Sequence, residues 1–64
     1  LALIPELGEL TRHADARVRS DACHYLSLTH DDSVRQYIEP LLDDAHEDVR
    51  EVAEESLAEL NHAS

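Results

Sequence analysis

The residues able to do chemistry are few and unevenly spread. The only cysteine, Cys23, sits beside His24, and four more histidines, His13, His30, His46 and His62, are scattered along the chain. A cysteine nucleophile needs a base within hydrogen-bond reach. Neighbouring residues on a helix stand about 100° apart around its axis, so Cys23 and His24 do not face each other as such a pair would. Cys23 adjoins Ala22 and lies three residues before Leu26, a setting that predicts partial burial. A lone cysteine also excludes an internal disulfide. His13 and His46 fall in two separate turns, with Asp44, Glu47 and Asp48 close by in sequence. No His-x-x-x-His or His-Glu-x-x-His spacing accompanies them. The histidines read as ordinary surface groups, and no metal or other cofactor is expected.

Charge is the stronger signal. Fifteen acids face five arginines and no lysine, for a formal charge of -10 over 64 residues. Such a chain has no general attraction for nucleic-acid phosphates or anionic lipid, so neither is expected as a partner. It has no apolar run of about 20 residues and no signal-peptide pattern, and a cytoplasmic location is expected. The acids cluster as Asp31-Asp32, Asp43-Asp44, Glu47-Asp48 and Glu54-Glu55, with Glu51 and Glu59 on the same helical segment. Glu51 and Glu55 are four apart, as are Glu55 and Glu59, so like charges repel along one helix face. This face is the candidate dock for a basic partner.

The elements that must carry these groups are helices. Leu3, Ile4, Leu7 and Leu10 form one apolar stripe, and Val18, Ala22, Tyr25 and Leu26 form a second. Val34, Ile38, Leu41 and Leu42 form a third, and Val49, Val52, Ala53, Leu57 and Leu60 a fourth. Each has the spacing of an amphipathic helix. Pro5 is tolerated near a helix start, whereas Pro40 predicts a bent or shortened third helix. Asp15, and Asp31 or Asp32, are candidate N-caps. Asn61 to Ser64 read as a frayed end. The fold class is all-α, with four short helices paired as two antiparallel hairpins.

A shift of 31 positions superimposes the hairpins. Leu3 falls on Val34, Leu7 on Ile38, Leu10 on Leu41, Val18 on Val49, Arg19 on Arg50, Ala22 on Ala53 and Leu26 on Leu57. Large apolar residues recur as large and the small alanine as alanine. A period of this length is the mark of a helical repeat. The phrase acid, valine, arginine recurs as Asp15-x-x-Val18-Arg19, Asp31-x-x-Val34-Arg35 and Glu47-Asp48-Val49-Arg50. The acid is expected to cap the helix, the valine to enter the core, and the planar arginine fork to hold carboxylates across a repeat boundary.

Pro5-x-Leu7-x-x-Leu10 followed by Asp15-x-x-Val18-Arg19-x-x-Ala22-x-x-x-Leu26 resembles a HEAT repeat, and is most similar to the short bacterial type called PBS-lyase HEAT-like repeats. The second copy runs from Asp32 through Asp48-Val49-Arg50-x-x-Ala53-x-x-x-Leu57-x-x-Leu60, with its proline late in the first helix. The resemblance implies an α-solenoid whose hairpins bind other proteins. One enzyme family built on such repeats, deoxyhypusine hydroxylase, carries His-Glu pairs just after the Val-Arg. The matching positions here are Ser20-Asp21 and Glu51-Val52, so that activity is not expected. The bilin lyases are also similar, but nothing identifies a pigment pocket.

Residues 1–64 are therefore read as one HEAT-like unit, with repeat one at about 1–29 and repeat two at about 30–60. About three repeats are usually needed for stability, so a unit of two is expected to belong to a larger protein or to self-associate through its open ends. The expected function is non-catalytic interaction or scaffolding with a basic or mixed-charge protein surface or a neighbouring domain. The second helices should line a concave face with Arg19, Cys23, Arg50 and Glu54, and Tyr25 as an anchor. Glu51 and Glu55 extend it on the acidic helix. The alternative is an accessory domain of an enzyme, sensing metal or redox state through Cys23 and His24.

Overall fold

The computed structural model describes residues 3–63. Four helices follow in order: α1 (Leu3–Leu10), α2 (Ala16–Ser27), α3 (Arg35–Ile38) and α4 (Glu47–Ala63). Tight 3-10 turns at Asp32–Val34 and Glu39–Asp43 extend α3 at both ends. The helix of each repeat that comes first packs on the one that follows, and α2 packs on α4 across the repeat boundary. This all-α, four-helix arrangement is the one the periodicity predicts.

Pro5 stands in the first turn of α1, where a missing N–H costs no helical bond. Pro40 has the opposite effect. It has no N–H to offer the carbonyl four residues back, so the α-helical ladder stops at Ile38 and the chain tightens into a 3-10 turn. The third helix is thus the shortened one. Asp15 caps α2 by accepting the Arg17 N–H at 2.9 Å, and Asp31 accepts the Ser33 N–H at 2.9 Å. Those hydrogen bonds hold the Asp31 carboxyl below its ordinary pKa.

Two expectations need correction. The last helix does not fray at Asn61. It runs through Ala63, because Leu60 is buried in the core and Asn61 accepts a hydrogen bond from Arg35 at 2.6 Å. Ser64 lies outside the described residues. Nor do Glu47 and Asp48 cap α4. Both sit in its first turn, and the cap is His46, whose Nδ1 accepts the Asp48 N–H at 3.2 Å.

The core runs through both repeats. Cys23, Leu26, Val34, Ile38, Leu41, Val49, Ala53 and Leu60 are buried together, with Ile4, Leu7, Tyr37, Val52 and Leu57 packed around them. Gly8 marks the tightest approach. The Tyr37 ring lies against it, and a Cβ there would come within 2.5 Å of Tyr37 Cε1. Gly8→Ala should therefore destabilise the protein, although alanine favours helix by about 1 kcal/mol over glycine. Overpacking of this kind costs roughly 1–3 kcal/mol. In a Tyr37→Ala background the sign should reverse, leaving the propensity gain. Urea denaturation of the four proteins measures both; Gly8→Ala stabilising the parent would sink the packing argument.

Candidate functional site

The two inter-helix turns are built alike with their chemistry exchanged. In the first, His13 Nδ1 accepts the Asp15 N–H at 3.0 Å, and Asp15 Oδ1 then accepts the Arg17 N–H. In the second, Asp44 Oδ1 accepts the His46 N–H at 2.9 Å, and His46 Nδ1 accepts the Asp48 N–H. His13-Ala14-Asp15 has become Asp44-Ala45-His46. The swap works because Nδ1 of histidine and Oδ1 of aspartate stand the same number of bonds from Cα. Each can close the same small ring onto the N–H two residues on. The exchange was visible at the 31-residue shift, but its meaning needed the geometry.

Only the aspartate brings a second oxygen and a charge. Arg19 uses both. Its Nε donates to Asp44 Oδ2 at 2.8 Å and its Nη2 to Asp44 Oδ1 at 3.0 Å. Its Nη1 donates to the carbonyls of His13 and Ala14 at 2.8 and 3.0 Å. The expected arginine ladder across the repeat boundary is thus present at Arg19, half-buried and bidentate. The Arg19 hydrogen bonds hold the Asp44 carboxyl below its ordinary pKa, against the opposing effect of burial. Arg50 repeats half of the pattern: its Nη1 donates to the Asp44 carbonyl at 2.6 Å.

One of the residues expected on the concave face is not at the surface. Cys23 is the clear correction. It has no exposed surface, because α4 closes over it, and its thiol donates to Ser56 Oγ at 3.4 Å. Burial raises its pKa, and the Ser56 contact offsets that only in part. Native Cys23 should react with iodoacetamide on the order of 100- to 1,000-fold more slowly than in urea, since opening must come first in a domain of about 3–5 kcal/mol. Equal rates in the two conditions would show that α4 does not seal it. Tyr25 is 57% exposed, but it belongs to the end of the stack. With Leu3, Leu7, Leu28 and Thr29 it lines an open apolar groove.

Glu51, Glu54 and Glu55 are exposed on α4, as expected. Between α2 and α4 runs a groove of about 300 Å³, lined by His24, Ser27, Leu28, Val52, Glu55, Ser56 and Glu59. Glu59 belongs to the acidic face expected as the dock and His24 to the sensing alternative, whereas Val52 was not among the expected site residues. Its signal was available in the helical spacing of Val52, Glu55 and Glu59, which share one face of α4. Among the described residues no cation pairs with Glu51, Glu54, Glu55 or Glu59. The arginines with acidic partners meet Asp44 and Asp32.

Among the described residues no three His, Cys, Asp or Glu side chains converge to hold a metal ion. His24 is exposed while Cys23 is sealed, so the sensing alternative has no assembled site. Among the described residues no helix is long and apolar enough to cross a membrane.

The stacked hairpins, the boundary arginine and the shared core agree with one family, and the model describing HEAT repeats matches residues 2–58. The chain belongs to the HEAT-repeat family. No curated protein and no solved structure matches it significantly. In these HEAT repeats the 31-residue period is carried by structure as well as by composition. Ala22 and Ala53 are both buried, and Arg19 and Arg50 are both tied to the turn of their own repeat. The general role is that of a helical-repeat scaffold.

Proposed function

We propose that this HEAT-repeat unit is an interaction module that takes a basic protein segment along the groove between α2 and α4. The observation that carries the reading is the pair Glu55 and Glu59, which border the groove with no cation to neutralise them among the described residues. Val52 and Leu28 supply apolar floor for the stem of an arginine or lysine, whose head reaches the carboxylates. Glu51 and Glu54 extend the negative field along the same helix and steer the approach. Arg19 holds the two repeats in register through Asp44.

The short bacterial PBS-lyase type is the proposed subtype, on the strength of the Asp15-x-x-Val18-Arg19 phrase. A place in the cytoplasm within a larger protein accords with it. The apolar groove at Leu3, Leu7, Tyr25 and Leu28 supports a neighbouring domain or second copy at that end.

A short peptide alternating leucine with arginine, titrated into the isotope-labelled protein, tests the main reading. Amide shifts should concentrate at His24, Val52, Glu55 and Glu59, weaken at high salt, and disappear in Glu55→Lys/Glu59→Lys. Equal shifts at the exposed Asp31-Asp32 pair, or unchanged binding by the double variant, would reduce the effect to bulk charge.

A further inference from the structure

The two ends of the unit differ in charge and in cover. Residues 1–30 carry four acids and three arginines, whereas residues 31–64 carry eleven acids and two arginines. Nearly all of the net negative charge therefore belongs to repeat two. The uncovered apolar side chains lie mostly on repeat one. Leu3 and Tyr25 are each 57% exposed, Leu28 52% and Leu10 41%. Leu3, Tyr25 and Leu28, with Leu7 and Thr29, line an open groove of about 360 Å³. Among the described residues repeat two exposes one large apolar side chain, Leu42.

The internal boundary shows what does not fit this groove. At the 31-residue shift Leu3, Leu10 and Tyr25 correspond to Val34, Leu41 and Ser56, all three buried. At Ser56 the boundary has room for one hydroxyl, which meets the Cys23 thiol at 3.4 Å. A hairpin laid on repeat one in the same register would meet a phenol ring in that place, an overpacked contact. The occupant has to approach at another angle, with an apolar surface that is not strongly acidic.

Repeat one is itself such a surface. We propose that a second copy of this chain occupies the groove across a two-fold axis, each Tyr25 ring entering the groove of the copy opposite. In a two-fold contact the same patch serves both partners, so the side chain that walls one groove fills the other. A tyrosine suits this position because its ring is buried while its hydroxyl can stay wet. The arrangement also sets the two acidic repeats at opposite ends, where salt screens their repulsion. Contact through the repeat-two ends would press the acids together. Head-to-tail contact would bring Glu54, exposed in the place of Cys23, onto an apolar groove. Of the two occupants named for this end, charge thus favours the second copy over a hairpin stacked in register. The basic segment proposed for the α2–α4 groove plays no part in this contact.

Sedimentation equilibrium of the full chain tests it. Association should stop at two copies, with a dissociation constant on the order of 100 µM, as befits a small transient interface. Added salt should strengthen it by screening like charges, opposite to its effect on a basic peptide. Leu28 borders both grooves, so the informative changes are Tyr25→Glu and Leu3→Glu. Each should weaken the dimer about tenfold or more while the helical circular dichroism stays that of the parent. Leu42→Glu, at the other end, should leave it unchanged. In a mixture of labelled and unlabelled chains, nuclear Overhauser contacts should join the Tyr25 ring of one copy to the Leu3 and Leu7 methyls of the other. A chain still monomeric at about 1 mM in high salt would overturn the proposal. So would growth beyond two copies, a dimer that Tyr25→Glu leaves intact, or contacts from Tyr25 to Leu42 of the other copy, the mark of a head-to-tail stack.

Discussion

Leu26→Ala is expected to abolish cooperative folding, or nearly so. Leu26 is fully buried in the core that α2 and α4 share. Removing most of its side chain leaves a cavity flanked by both repeats, which costs roughly 2–5 kcal/mol. A single core in so short a chain supplies only about 3–5 kcal/mol in total. The margin is consumed by one substitution. Leu57→Ala, the equivalent change one repeat later, is a matched control. Leu57 is only half-buried on the uncovered side of repeat two, so its loss should cost about 1 kcal/mol by the area it hides. Urea titrations followed by far-ultraviolet circular dichroism give both values. Equal midpoints for the two variants would mean that the repeat boundary is not where stability resides.

The second large effect is expected at Asp44. Its carboxyl is held below the ordinary value by Arg19, so the folded protein binds fewer protons there than the unfolded chain. Stability from this group is complete above the ordinary aspartate pKa of about 3.9. It is lost as pH falls through the lowered folded value. Asp31, lowered by its Ser33 hydrogen bonds, adds to the same acid limb. Asp44→Asn keeps an acceptor for the His46 N–H but leaves Arg19 without its countercharge. The melting temperature near neutral pH should drop by several degrees. In strong acid the variant and the parent should converge, since the parent has by then protonated Asp44. Asp43→Asn, exposed and adjacent, should stay within about 0.5 kcal/mol of the parent. A constant gap between Asp44→Asn and the parent at every pH would place the effect in packing rather than in charge.

Much of the architecture could be read along the chain. The helices announced themselves through apolar spacing, and the shortened third helix through Pro40. The repeat showed as residue sizes recurring at 31 positions. The arginine ladder was expected from the surplus of acids and is realised at Arg19. The candidate site was less legible. Cys23 resembled a half-exposed residue because its local neighbours are only Ala22 and Leu26. Its complete burial depends on Ser56, 33 residues away. Tyr25 belongs to a helical stripe, but no pattern along α2 reveals whether a neighbouring hairpin covers that stripe. In repeat two the equivalent position, Ser56, is buried; in repeat one it is open.

What the amino-acid order determined by itself is local and periodic: the helix positions, their apolar faces, the breaks at Pro40 and the turns, and the two-fold repetition. These follow from backbone geometry and side-chain size within a few residues. The tertiary structure alone decided which equivalent residues live in equivalent surroundings. Arg19 finds Asp44 only because α2 packs on α4, and Arg50 lacks that partner because nothing among the described residues stands one repeat further on. Likewise the exchange of His13 for Asp44 preserves each turn but changes what the turn can offer an arginine. The turn needs one acceptor close to the backbone, which either residue provides. The ladder needs two oxygens and a negative charge, which only aspartate has.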